Sequence, residues 1–182
     1  MRHWRIQENG LIPHFVTWRL VEWAPVFVSE RYCGVITDSL AHCRRERGLL
    51  VHGYVVMPTH VHGVLSVREG GDLAAVLRDS RKYTAREIVL RLKQDNNRLM
   101  ERVLRYAAEK AGRPAGEHQV WADDTHPEAI VSKEFARQKL DYLHNNPVRK
   151  GLVAAPEHWR YSSAAFYAGE VDCPLEIDVL EL

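Results

Sequence analysis

Apolar positions recur along this chain with a period of two in some stretches and near 3.6 in others, and the changes of period set out its elements. His14 to Leu20 alternates and is rich in strand formers, which predicts a first strand. After the connection around Pro25, Tyr32, Val35, Ile36, Leu40 and Cys43 fall at helical spacing and predict a helix from Glu30 to about Arg47. Gly48 ends it, and Arg44, Arg45 and Arg47 occupy the last turn, where cations suit the helix dipole. Leu49 to Met57 reads as a second strand, Pro58-Thr59 as a turn or kink, and His60 to Val67 as a third strand. So short a break implies an antiparallel pair or one bulged ribbon. Asp72 is the N-cap candidate of a helix from Leu73 to about Leu92, and a second helical stretch runs from roughly Asn97 to Lys110. Gly112 to Gly116 breaks the chain, and Gln119-Val120-Trp121 predicts a short strand. Ser132 caps a helix to about Asn145, which Pro147 ends. The order is that of an α+β or α/β sandwich. The final dozen residues are acidic and read as a loose tail.

Composition narrows the class without choosing a function. At 182 residues, 46% hydrophobic and 27% charged, the chain can bury one sizeable core. No apolar run approaches membrane-spanning length, and Met1 to Ile6 lacks the apolar core of a signal peptide, so a cytoplasmic protein is expected. Cys33, Cys43 and Cys173 are scattered without metal-ligand spacing, which fits free thiols in a reducing compartment. The net charge of +1 hides an asymmetry. Arg78 to Lys110 carries ten Lys or Arg against five Asp or Glu, whereas Gly169 to Leu182 carries five acidic residues and no basic one. A basic middle suits a polyanion-binding face; a long solvated helix of mixed charge explains it equally well.

Two places carry candidate chemistry. In the third strand, side-chain alternation puts His60 and His62 on one face, with Val61, Leu65 and Val67 on the other, toward the core. Two such imidazoles can hold one metal ion, or can be core histidines satisfied by hydrogen bonds. In the helix after Ser132, Ala136, Leu140 and Leu143 form the apolar stripe, and Gln138, Tyr142 and Asn146, spaced by four, line up beside it. Tyr142 is then either a core-edge tyrosine or a nucleophile aimed into a cleft; a phenol needs a nearby metal or base to act as one.

Met57-Pro58-Thr59-His60-Val61-His62, followed eighty residues later by the run from Asp141 to Val153, resembles the single-tyrosine HUH transposases, in particular the REP-associated tyrosine transposases. Trp121, the His126-Pro127-Glu128-Ala129-Ile130 stretch and Trp159 to Ser163 also look like that family. The match runs from about residue 14 to 167. It implies an α+β fold, a ferredoxin-like antiparallel sheet with helices packed on it and the histidine strand central. Residues 1–168 would form the catalytic domain and 169–182 the acidic tail. It implies metal-dependent cleavage and rejoining of single-stranded DNA beside a small hairpin, REP-like or at an element end. His60 and His62 become metal ligands, Asn146 takes the place of the third ligand, and Tyr142 leaves a 5′-phosphotyrosine and a free 3′-OH. The cation would be Mg2+ or Mn2+. The expected assembly is a monomer or homodimer, with no membrane partner. Leu92 to Gln119 is longer than in the shortest relatives.

Arg81, Lys82 and Arg86 on the helix after the histidine strand, and Arg149 and Lys150 past the tyrosine helix, are candidate contacts to DNA phosphates. His144 faces away from Asn146 and reads as a structural or surface residue, while His126 reads as a loop anchor, with a site role as the alternative. The tryptophans read mostly as core, with one or two free to stack on bases. Two rival functions stay open: a non-catalytic hairpin-binding regulator on the same fold, and a hydrolase using metal-bound water through the histidine pair alone.

Overall fold

A computed structural model describes residues 6–124, 127–170 and 173–180. Four strands form the sheet: β1 (His14–Arg19), β2 (Leu49–Met57), β3 (His60–Val67) and β4 (Glu128–Ala129). Their order is β2-β3-β1-β4 and every pairing is antiparallel. The crossover from β1 through α1 (Glu30–Arg47) leaves a gap that β3 fills, which is the ferredoxin-like arrangement. The histidine strand is therefore interior.

The two faces of this sheet serve different ends. On one face, Val61, Leu65 and Val67 of β3 and Val16 and Trp18 of β1 pack under α1 and α2 (Leu73–Gln94) in the main core. On the other, Phe15, Val55, Met57 and Val64 make a smaller core under α4 (Lys133–His144), with Ala136 and Leu143 of that helix. Helix α3 (Arg98–Lys110) adds Leu104 and Ala107 to the main core, which gives the long segment after α2 a packing role.

Local chemistry explains the boundaries. Gly48 ends α1 at φ 66°, a left-handed position that favours glycine. Asp72, Asn97 and Ser132 each accept a backbone N–H from their helix's first turn. Helix α4 stops at His144, and Asn146 opens a separate turn, α5 (Asn146–Arg149), with Pro147 in its first positions. A last short helix, α6 (Ala164–Tyr167), follows.

Two expectations are corrected. Gln119 to Trp121 is not a strand: Trp121 makes a single bridge to Leu20, Gln119 N–H turns to Leu104 O, and Val120 and Trp121 serve as buried core. The strand that pairs with the other edge of β1, away from β3, is Glu128–Ala129, two residues with no apolar period to betray them. Nor are residues 173–180 loose. Leu175 and Ile177 are buried, and Asp178 accepts from Arg44 at 2.9 and 3.1 Å and from Val51 N–H at 2.8 Å. The acidic segment thus covers the β2 edge, held by a cation at the end of α1. Among the described residues, no helix is long and apolar enough to cross a membrane.

The packing of α4 on β2 turns on Gly53. A bulge at His52 puts both His52 and Gly53 on the α4 face, and a Cβ at Gly53 would stand 2.5 Å from Leu140 Cδ2. Gly53→Ala should therefore lower stability by about 1–3 kcal/mol, the usual cost of overpacking. In urea unfolding, Gly53→Ala combined with Leu140→Ala should cost less than the two single changes added; strict additivity would show that this contact does not set the helix height.

Candidate active site

Pairing of β1 with β3 sets Thr17 opposite His62 and Arg19 opposite His60, all facing α4. The two imidazole centroids lie 4.7 Å apart with their planes near perpendicular. Each ring is held at one nitrogen by a threonine hydroxyl. His62 Nδ1 lies 2.8 Å from Thr17 Oγ1, and His60 Nδ1 lies 3.0 Å from Thr59 Oγ1. Nε2 is the atom of each ring these contacts leave for a ligand.

Burial sets the charge state. Desolvation, with the positive charge of Lys150, lowers the His60 pKa to about 4. Desolvation, with His60 and Lys139, lowers that of His62 to about 3. Both rings are neutral at pH 7 and carry a lone pair, the form that binds a cation.

Helix α4 brings Tyr142 to this face. Its ring meets His62 edge-on at 5.4 Å and Phe15 at 6.0 Å, and the residue stays 39% exposed. Asn146 follows at the start of α5. It is buried, and its Nδ2 has no hydrogen-bond partner. A buried amide N–H without a partner loses the hydration it had in the unfolded chain, so an acceptor in the cavity would complete its bonding and leave the amide oxygen free to turn to a cation. His60, His62, Tyr142 and Asn146 all line one open cavity of about 530 Å³, together with Thr17, Arg19, Trp23, Thr59, Glu128, Lys139 and Lys150.

The structure thus gathers four of the residues expected at the site, and Lys150 with them. Arg149 stands beside them, its guanidinium carbon 5.6 Å from the Tyr142 ring centroid. Arg81, Lys82 and Arg86 lie on α2, across the sheet from the histidines. Arg81 is half-buried and donates to Ala122 O at 2.7 Å, while Lys82 and Arg86 are exposed. His144 is buried and hydrogen-bonded to Ser163 Oγ at 2.7 Å, a structural role. His126 and Trp4 fall outside the described residues.

Sequence reasoning missed Lys139. It paired Tyr142 with Gln138, four residues back, but Gln138 is exposed and Lys139, three back, is the neighbour in the cavity. Both spacings are adjacent on a helix, so the pattern alone did not choose. Lys139 pairs with Glu128 at 2.9 Å and lies 4.5 Å over the Phe15 ring. Thr17 was invisible because only the β1–β3 register reveals it. Among the described residues, no group of three His, Cys, Asp or Glu converges as a metal site.

Comparison with family models and with curated proteins gives no match. Among solved structures, the chain has the fold of a REP-associated tyrosine transposase bound to a REP hairpin, at a TM-score of 0.64 and 18% identity. That likeness covers 100% of this chain and 95% of the other. A protein of Deinococcus radiodurans R1 assigned as a transposase aligns at a TM-score of 0.47 and 19% identity, over 80% of this chain and 97% of that one.

The buried rings make stability depend on pH. His60, His62 and His144, the last also lowered to about 4 by burial, bind protons in the folded chain only well below 6.5. The unfolded chain binds them from 6.5 downward. Stability from the neutral rings is complete above pH 6.5 and is lost as pH falls toward 4. Between pH 7 and pH 5 the loss should be about 1–2 kcal/mol each for His62 and His144, and less for the more solvated His60. The urea midpoint should fall accordingly, and His144→Gln should flatten the slope; a midpoint constant over this range would contradict the burial.

Proposed function

We propose that this protein is a metal-dependent single-stranded DNA endonuclease and strand transferase, acting beside DNA hairpins through Tyr142. One observation carries the reading. Two neutral imidazoles, one buried and one partly so, an amide nitrogen lacking a partner and a half-exposed phenol, drawn from segments eighty residues apart, line the same cavity. The fold is that of a protein bound to a REP hairpin, which supports a hairpin-bearing strand as substrate.

His60, His62 and Asn146 would hold a divalent cation, Mg2+ or Mn2+; two imidazoles and a carboxamide oxygen suit either, with nitrogen favouring manganese. Such an ion, when bound, supplies positive charge for the scissile phosphate and the departing oxygen. The remaining work belongs to the chain. Tyr142 oxygen forms a bond to phosphorus as the bond to the 3′ oxygen breaks. The phenol loses a proton, the 3′ oxygen gains one, and the number of phosphodiester-type bonds is unchanged. A 3′-OH can therefore attack the phosphotyrosine and rejoin the strand without ATP. Thr17 and Thr59 hold the imidazole planes, which fixes the direction of both Nε2 atoms. Lys139, Arg149 and Lys150 set positive charge around the phenol, where a phosphate must approach. Lys139 is oriented by Glu128.

Incubation with hairpin-bearing oligonucleotides and Mn2+ or Mg2+ should give nicking and a covalent protein–DNA adduct. Tyr142→Phe should abolish the adduct and keep hairpin binding; an adduct that persists assigns the nucleophile elsewhere. His60→Ala or His62→Ala, or excess chelator, should reduce cleavage by on the order of a thousandfold. Thr17→Val should raise the metal concentration needed for half-maximal cleavage by about 10–100-fold, with little change in the rate at saturation. Hairpin binding that survives loss of both histidines, with no cleavage under any metal, identifies a non-catalytic regulator.

A further inference from the structure

Trp23 is a large apolar side chain in a place that neither packing nor backbone accounts for. It is 59% exposed, and its backbone sits at φ 53°, directly after Glu22 at φ 50°. Two consecutive residues in the left-handed region are costly for side chains with a Cβ, and a bulky one is an outlier there. Glycine or asparagine would fit the turn with less strain.

The turn is nonetheless rigidly placed. Val21 N–H donates to Val120 O, Leu20 N–H to Thr59 O and Phe27 N–H to Pro58 O, each at 3.0 Å. Val21 and Ala24 are buried on either side of the exposed pair. Trp23 is therefore tied to the corner that carries Thr59 and His60. Arg19 supports its ring, with the guanidinium carbon 4.9 Å from the ring centroid, and Asp124 holds that guanidinium at 2.6 Å.

The ring lies at one end of a row. Tyr142 contacts His62 at 5.4 Å, His62 contacts His60 at 4.7 Å, and His60 contacts Trp23 at 6.1 Å. The strand register gives this row a direction. Tyr142 stands by Phe15 and His62, whereas Trp23 stands by Arg19 and His60, farther along the same two strands. Trp23 is thus across the histidine pair from the phenol.

On the proposed reading, we infer that Trp23 is a stacking platform for a nucleobase of the single-stranded substrate, on the side of the leaving 3′-OH. In-line displacement puts the departing oxygen opposite the attacking one. With Tyr142 attacking from one end of the row, the nucleotide that keeps the 3′-OH leaves toward the other end, where the indole stands. An exposed indole backed by a guanidinium offers a face to any base, and such stacking tolerates sequence. Trp23 positions the strand; it does not take part in bond exchange.

The test uses the full chain with Tyr142→Phe, so that binding is read without turnover, and hairpin-bearing oligonucleotides with single-stranded flanks. Titration should quench tryptophan fluorescence, and Trp23→Phe should remove most of that quench while the other four tryptophans remain. Trp23→Asn should weaken binding by about tenfold, the scale of one lost base stack, with a melting temperature no lower than the parent. Trp23→Phe, which keeps a ring, should recover part of that affinity. Abasic substitutions on the 3′-OH side of the cleavage point, mapped with the active enzyme, should weaken binding to the parent and leave Trp23→Asn unaffected. Parent and Trp23→Asn binding alike would overturn this inference alone, since the DNA reading would stand. Coupling confined to the phosphotyrosine side would overturn it too. A parent that binds no oligonucleotide would remove the DNA reading and this inference with it.

Discussion

The height of α4 above the sheet is the constraint on which the site depends. An α-helix lies about 10 Å from a sheet when ordinary side chains separate them, and a phenol at that distance need not meet an imidazole ring below it. Gly53 has no side chain where Leu140 and Leu143 of α4 cross β2, so the helix settles close. The bulge at His52 is what turns Gly53 to that face. The ring of Tyr142 then meets His62 from above. The register of β1 on β3 does the matching work from below, by setting Thr17 beside His62. Two backbone features, a missing methyl and a strand register, thus fix a geometry that no pair of side chains could fix alone.

The sheet divides its duties between its faces. The α1–α2 face is a continuous apolar core, and the stability of the chain rests there. The α4 face is only half apolar, and beyond Phe15 and Val64 it gives way to polar groups. Two neutral histidines, an amide with no partner and a left-handed tryptophan each cost free energy in the folded chain. They cluster around one cavity, which is where local rules are broken when a site is built rather than a core.

Much of this was legible from the residues, because the informative elements are governed by local rules. The limits of α1, β2 and β3 follow from periodicity and from Gly48 and Pro58, and the structure has them where the pattern put them. Ser132 caps α4 as its position implied. The His60–His62 face followed from strand alternation alone. What could not be read depends on partners distant in sequence. Glu128–Ala129 is a strand only because β1 offers it an edge. Residues 173–180 are held by partners far back in the chain: Arg44 at the end of α1, the Val51 backbone of β2, and the main core that takes in Leu175 and Ile177. The exposed place of Trp23 follows from a turn whose φ angles no composition announces.

Charge around the cavity ties the two halves of the proposed chemistry together. Burial is the main cause that depresses the proton affinity of His60 and His62, and Lys150 and Lys139 add to it, so the cations that would attract a phosphate on the proposed reading also help to keep the imidazole lone pairs free. That field opposes a divalent cation arriving alone, because it repels positive charge of any kind. A DNA phosphate in the cavity would cancel it. Cation and strand should then raise each other's affinity by the same factor, since coupling between two ligands is reciprocal. On the proposed reading, a site arranged in this way would hold its ion weakly until a strand is present, and the exposed phenol beside it would be poised only when both have arrived.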